Sequence, residues 1–167
     1  KSNIIDFIRK IKTDDYGIFV MYLCAFGFAV SIASPFFSVY MLKELQFTYT
    51  QFTLITSASI ITSFLTMKFW GHFSDLYGTK KIMFLSGLLI PLIPFIWIFT
   101  KNFYAIFLIE SFSGIVWAGF NLASSNYIYD ATDPHNRTKY VAYLNILRGL
   151  LVFFGAFIGG FLSTNLP

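Results

Sequence analysis

Two ionisable residues lie inside long apolar stretches: Glu110, within Asn102–Tyr129, and Arg148, within Tyr140–Pro167. A charge at the centre of a membrane-spanning helix costs about 2.5–3.5 kcal/mol on insertion scales, so each requires a task. If a helix starts near Thr138, Arg148 sits about 15 Å along it at 1.5 Å per residue, the depth of a bilayer midplane. Asn121 is a similar distance from the other end of its own stretch, near Asp130, so Asn121, Asn145 and Arg148 are expected to share one layer. Trp117, one turn from Asn121, would offer that layer a flat apolar platform. Such a set binds a small solute, and Arg148 favours one with an anionic group. The competing reading pairs Arg148 with backbone carbonyls or with Asn121, and sets Trp117 in lipid. Glu110 lies about 10 Å from the opposite end of its helix. A carboxyl in that position either exchanges a coupling proton or stays hydrated near the outer gate, and a depth difference of about 12 Å argues against a Glu110–Arg148 pair.

This chemistry is binding, not catalysis. No Ser-His-Asp set can be placed together, no two His share a helix face, and no phosphate-cradling Gly loop precedes Lys and Ser or Thr. His72 and His135 are isolated and read as solvated loop residues. The single cysteine, Cys24, lies in an apolar stretch and supports neither a disulfide nor a thiolate metal site. The reading is therefore a protein that is not an enzyme, with no cofactor and no metal.

The elements that must hold these residues follow from composition. Of 167 residues, 56% are apolar and 12% charged, against about a quarter charged in a soluble domain. The net charge of +4 is compatible with nucleic-acid binding, but the uncharged stretches are each long enough to cross a bilayer, so the basic excess reads as topology. Charge is absent from Tyr16–Leu42, Leu45–Met67 and Ile82–Thr100; with the two stretches named above, these predict five spans. The connections Lys43–Thr50, Lys68–Lys81, Lys101–Phe103 and Asp130–Lys139 are short, so neighbouring helices are antiparallel. The fold class is all-α, a polytopic transmembrane helical bundle.

Residues 1–13 read as a separate interfacial lead-in, because Ile4, Ile5, Ile8 and Ile11 recur at helical spacing while Asp6, Arg9, Lys10 and Lys12 fall largely elsewhere. Residues 14–167 form the bundle, and Asp14 and Asp15 suit the N-terminus of its first helix. Lys1, Arg9, Lys10, Lys12, Lys68, Lys80, Lys81, Arg137 and Lys139 fall on one side of the membrane, and Lys43 and Lys101 on the other. This places the N-terminus in the cytoplasm and Pro167 outside. The opening at Lys1, without methionine, predicts a piece of a longer chain.

Within the spans, Ser31, Ser34 and Pro35 predict a bend in the first. Thr53, Thr56, Ser57, Ser59, Thr62, Ser63 and Thr66 in the second suit close helix packing. The third, with Pro91, Pro94 and Trp97 among apolar residues, is expected to face lipid on several sides. In the fourth, Gly114, Ala118, Leu122 and Ser125 form a close-packing stripe, while Trp117, Asn121 and Ser124 form another that would line a cavity.

The segment Gly71-His72-Phe73-Ser74-Asp75-Leu76-Tyr77-Gly78-Thr79-Lys80-Lys81 joins an acidic helix end to a basic helix start through a glycine. It resembles the loop signature of major facilitator superfamily transporters, Gly-x-x-x-Asp-Arg-x-Gly-Arg-Lys, with Gly71, Asp75, Gly78 and Lys80 in register and with Leu76 and Thr79 where the family has arginines. Asp130-Ala131-Thr132-Asp133-Pro134-His135-Asn136-Arg137 is similar to the family's next cytoplasmic loop, and Gly155-Ala156-Phe157-Ile158-Gly159-Gly160 to its Gly-Pro-x-x-Gly-Gly motif.

The resemblance implies five of the six spans of one half of a secondary carrier. The missing arginines and the absent methionine favour the C-terminal half. It further implies a cytoplasmic gate of Gly71, Asp75, Gly78, Lys80, Asp130 and Arg137 and a cavity lined by Trp117, Asn121, Asn145 and Arg148. The implied partners are membrane lipid, a small-molecule substrate, a coupling proton or sodium ion and the other half of the transporter, without nucleic acid. The implied location is the plasma membrane, multi-pass. The alternatives are a five-span scaffold or lipid-contacting subunit without transport and, more distantly, a membrane-embedded hydrolase.

Overall fold

The computed structural model describes residues 15–132, 134–135 and 137–165. The expected lead-in over residues 1–13, together with Asp14, Asp133, Asn136 and Pro167, lies outside the described residues.

Every regular element among the described residues is a helix, in the order α1 (Asp15–Val39), a π-helical turn (Tyr40–Glu44), α2 (Tyr49–Tyr77), α3 (Thr79–Leu89), α4 (Leu92–Trp97), α5 (Phe103–Ala131) and α6 (Arg137–Asn165). These make five stretches long and apolar enough to cross a membrane: Tyr16–Glu44, Tyr49–Tyr77, Thr79–Trp97, Phe103–Ala131 and Arg137–Asn165. Their outer faces are apolar, with Phe64 78% exposed, Phe84 73% and Phe157 69%. In water such surfaces would drive association, whereas lipid satisfies them. The chain is a multi-pass membrane protein.

Helix ends carry local signals. Thr48 caps α2 reciprocally with Gln51: the Gln51 N–H donates to Thr48 Oγ1 (3.3 Å) and the Thr48 N–H to Gln51 Oε1 (2.9 Å). This satisfies two donors that a helix start otherwise leaves open. Asn102 Oδ1 does the same for α5, accepting from the N–H of Tyr104 (2.8 Å) and of Ala105 (3.4 Å).

The third stretch breaks between α3 and α4 at Ile90–Pro91. Pro91 and Pro94 lack the N–H that would continue the ladder, and Ile93 falls back to a tighter bond with the Ile90 carbonyl (3.1 Å). In α1, by contrast, the helix runs through Pro35. There Ser31 Oγ donates to the Gly27 carbonyl at 2.7 Å.

The expected loop Lys68–Lys81 is corrected: α2 continues to Tyr77 and the connection is Gly78 alone, at φ 88° and ψ 144°. Gly71, His72 and Asp75 are therefore helical. A helix of 29 residues is about 43 Å long, well beyond a hydrocarbon core of about 30 Å. Its charged last turns continue as helix into the headgroup layer.

The chain forms two compact units, one comprising the residues up to Tyr40 with those from Ile128 onward, the other Met41–Tyr127. In the first, α1 packs along α6. In the second, α2 and α5 are joined by side-chain-to-carbonyl hydrogen bonds: Thr62 Oγ1 donates to the Ser111 carbonyl (2.8 Å) and Trp70 Nε1 to the Ile115 carbonyl (2.7 Å).

Candidate functional site

In the unit built on α1 and α6, close approach rests on small residues. A Cβ at Gly155 would stand 2.7 Å from the Phe28 carbonyl oxygen and 3.0 Å from Ser31 Cβ, and one at Gly159 would strike the backbone of Ile32. The Gly155–Gly160 motif thus works through its first two glycines. A Cβ at Gly160 would meet nothing within 4 Å.

Arg148 lies on α6 two turns before Gly155, and its stem runs beside α1 at Gly27. A Cβ there would sit 3.8 Å from the guanidinium Nε and 4.0 Å from Arg148 Cγ. Arg148 is half-buried, and Asn145, one turn earlier, is exposed.

The same unit contains the end of α5 and the start of α6. Arg137 Nη2 donates to the carbonyls of Tyr129 (2.9 Å) and Thr132 (3.4 Å), and the guanidinium lies 5.4 Å from the Tyr129 ring centroid. The last carbonyls of a helix lack partners within it and carry partial negative charge, so a cation there both bonds and compensates them. Asp130 is exposed beside this cap.

In the unit Met41–Tyr127, the second constellation surrounds the Gly78 turn. The Gly78 N–H bonds to the Ser74 carbonyl (2.9 Å), and the buried Ser74 hydroxyl donates to Thr79 Oγ1 (3.4 Å). Asp75 is exposed on the last turn of α2. Lys80 places its ammonium 5.4 Å from the Tyr127 ring centroid on α5, a cation–π contact that ties the start of α3 to the end of α5. Gly71 packs toward Leu122, whose Cδ2 would lie 3.9 Å from an added Cβ.

Farther along α5, Gly114 and Gly119 admit neighbouring helices. A Cβ at Gly114 would collide with Ser59 and Thr62 of α2, and one at Gly119 would sit 2.6 Å from Ser86 Oγ and 2.7 Å from Trp70 Cε2. The expected stripe is therefore split. Gly114 and Ala118 are buried, but Ser125 is exposed, and Gly119, outside the stripe, makes a contact as close.

The second expected stripe divides too. Asn121 is exposed, Ser124 is 5% exposed, and Trp117 is half-buried, edge-on to Phe120 with ring centroids 5.9 Å apart. Glu110 is half-buried on α5 and interacts with the buried Trp97 indole at the end of α4. Within the stretch expected to face lipid on several sides, Trp97 packs inward at 4% exposure.

The site residues are thus grouped. Trp117, Asn121, Glu110, Gly71, Asp75, Gly78 and Lys80 belong to one unit, and Asn145, Arg148, Asp130 and Arg137 to the other. Sequence reasoning missed Gly27, Trp70, Tyr127 and Tyr129, whose roles depend on which helix lies opposite. Among the described residues no group of three or more His, Cys, Asp and Glu is arranged to hold a metal ion.

Comparison with known proteins agrees with this architecture. The chain is 28% identical over 167 aligned positions to an uncharacterized transporter of Buchnera aphidicola, covering 96% of this chain and 38% of the relative. It is 30% identical over 109 positions to an uncharacterized transporter of Schizosaccharomyces pombe, covering 65% of this chain and 19% of the relative. The chain therefore spans well under half the length of these relatives. No solved structure matches significantly. Residues 18–167 match the Major Facilitator Superfamily, which takes in all five spans, the Gly78 turn and the Gly155–Gly160 contact: the chain belongs to the major facilitator superfamily of transporters.

Proposed function

We propose that this chain is part of a secondary active transporter that moves a small solute across the plasma membrane by alternating access, with the N-terminal side of α1 in the cytoplasm. The observation that carries this reading is the family match over residues 18–167, joined to five membrane-long helices. Transporters of this kind place solute sites near the midplane, between bundles that rock about them. Trp117, Asn121, Asn145 and Arg148 are assigned to the solute cavity. Gly71, Asp75, Gly78, Lys80, Asp130 and Arg137 are assigned to a cytoplasmic gate, and Glu110 is the candidate for proton coupling, with sodium as the other coupling ion.

The absence of arginine at Leu76 and Thr79 favours the C-terminal half, and the rest of the transporter would supply the remainder of the cavity. The basic residues Lys68, Lys80, Lys81, Arg137 and Lys139, against Lys43 and Lys101 on the other side, support the orientation.

The test is uptake by the purified full-length protein in liposomes under an imposed proton or sodium gradient. Accumulation or exchange of a solute is expected, and the Asp75→Asn variant should insert normally but carry less. A protein that inserts and moves no solute from a broad panel under either gradient would instead be a scaffold.

A further inference from the structure

Arg148 holds a permanent charge eleven residues into α6, which begins at Arg137, about 17 Å along the helix. A guanidinium does not shed its proton in proteins, so its charge at that position must be met by a counter-charge or by water. Its own unit supplies no counter-charge within the membrane. No acidic residue occurs between Tyr16 and Tyr40 or between Arg137 and Asn165. Among the described residues, no carboxylate or carbonyl accepts a hydrogen bond from Arg148. The contrast with Arg137, which spends its guanidinium on the carbonyls of Tyr129 and Thr132 at the end of α5, is direct.

The arginine stem runs beside α1 at Gly27, where an added methyl group would be in ordinary van der Waals contact with Nε (3.8 Å) and Cγ (4.0 Å). Val152, one turn further along α6, lies beside the same position, its Cγ2 3.7 Å from it. Asn145, exposed one turn earlier on α6, adds a neutral amide able to donate to the same ligand.

We infer that Arg148 is the anion-binding residue of the solute site, and that the transported solute carries a carboxylate or phosphate group which the guanidinium fork engages through paired N–H donors. This rests on the transporter reading above and specifies its substrate class.

Thermal unfolding of the full-length protein in detergent, with inorganic phosphate, benzoate or the neutral benzamide as probes, tests it. Phosphate or benzoate should raise the wild-type midpoint while benzamide does not. Arg148→Gln should weaken the apparent anion affinity about thirtyfold or more, and Arg148→Lys should restore part of it. Without ligand, Arg148→Gln should unfold at the wild-type temperature or higher, since it removes an uncompensated charge.

A fall of several degrees in the unliganded variant would reveal a structural ion pair with another part of the full chain and overturn the inference. So would an equal response to benzamide, or no anion-specific response in the wild type. Uptake assays on the same preparation separate the two failures. Wild type and Arg148→Gln that carry a neutral solute equally well would sink the anion assignment and leave the transporter standing, whereas no transport of any solute would sink the transporter.

Discussion

The two compact units bring helices together by different means. Along α1 and α6, glycines at 155 and 159 let backbone meet backbone, and Tyr16 meets Tyr140 edge-on with ring centroids 5.7 Å apart. Around α5 in the other unit, glycines at 114 and 119 serve similarly, but Thr62 and Trp70 add hydrogen bonds to carbonyls of α5. Inside a membrane the surroundings are as apolar as leucine, so helices associate through packing and polar contacts and gain little from hydrophobic burial. A pair whose glycines touch the facing backbone depends on every ångström of approach. The hydrogen bonds from Thr62 and Trp70 give the α2–α5 pair redundancy, and the α1–α6 unit is the one that carries the midspan arginine.

The sharpest way to break this comparison is a bulky residue at the closest approach. Gly159→Leu should cost about 3 kcal/mol or more, because the added side chain meets the Ile32 backbone, which cannot rotate away. Gly160→Leu, one residue on in open space, should stay within about 0.5 kcal/mol. Unfolding of the two variants in detergent measures the difference, and equal stabilities would contradict the α1–α6 packing.

Next in size is Gly78→Ala, expected to cost about 1–2 kcal/mol because φ 88° is strained for a residue with a Cβ. Thermal unfolding would register it, and an unchanged midpoint would mean the turn is not as described. Trp70→Phe keeps an aromatic ring but loses the donor to the Ile115 carbonyl, and should cost about 1 kcal/mol. If the variant is as stable as wild type, the redundancy argued for that unit does not exist. The smallest effect is expected from Tyr127→Leu, about 0.5–1 kcal/mol from the loss of the Lys80 contact. A Lys80→Met, Tyr127→Leu double-mutant cycle isolates that pair, and a coupling of zero would remove it.

Much of this was legible from charge alone. Long apolar runs with at most one charge have few alternatives to spanning helices, so all five were identified. Their ends were less accurate where charge was taken to mean loop: Lys68, His72 and Asp75 lie on helix because α2 outlasts the hydrocarbon. The break at Ile90–Pro91 had its cause in view in Pro91 and Pro94, yet its consequence depends on which carbonyls lose donors.

Helical periodicity placed Trp117, Asn121 and Ser124 within about 60° of one another on α5, but that arc crosses from the packed to the exposed face, and Ser124 fell on the packed side. Arg137 was identified as important through the family resemblance. Its use as a cap on α5 depended on where that helix ends. Gly27 gave no signal at all, because its significance lies in an arginine 121 positions away in the chain.

A joint of one residue between α2 and α3 has a mechanical consequence. With Tyr77 and Thr79 both helical and Lys80 fastened over Tyr127, a tilt of one rod reaches the other through the two backbone dihedrals of Gly78. The joint is a single pin, and its range is that of a residue without a Cβ. A second joint lies farther along the same stretch, at Ile90–Pro91, where the backbone has already given up its regular ladder.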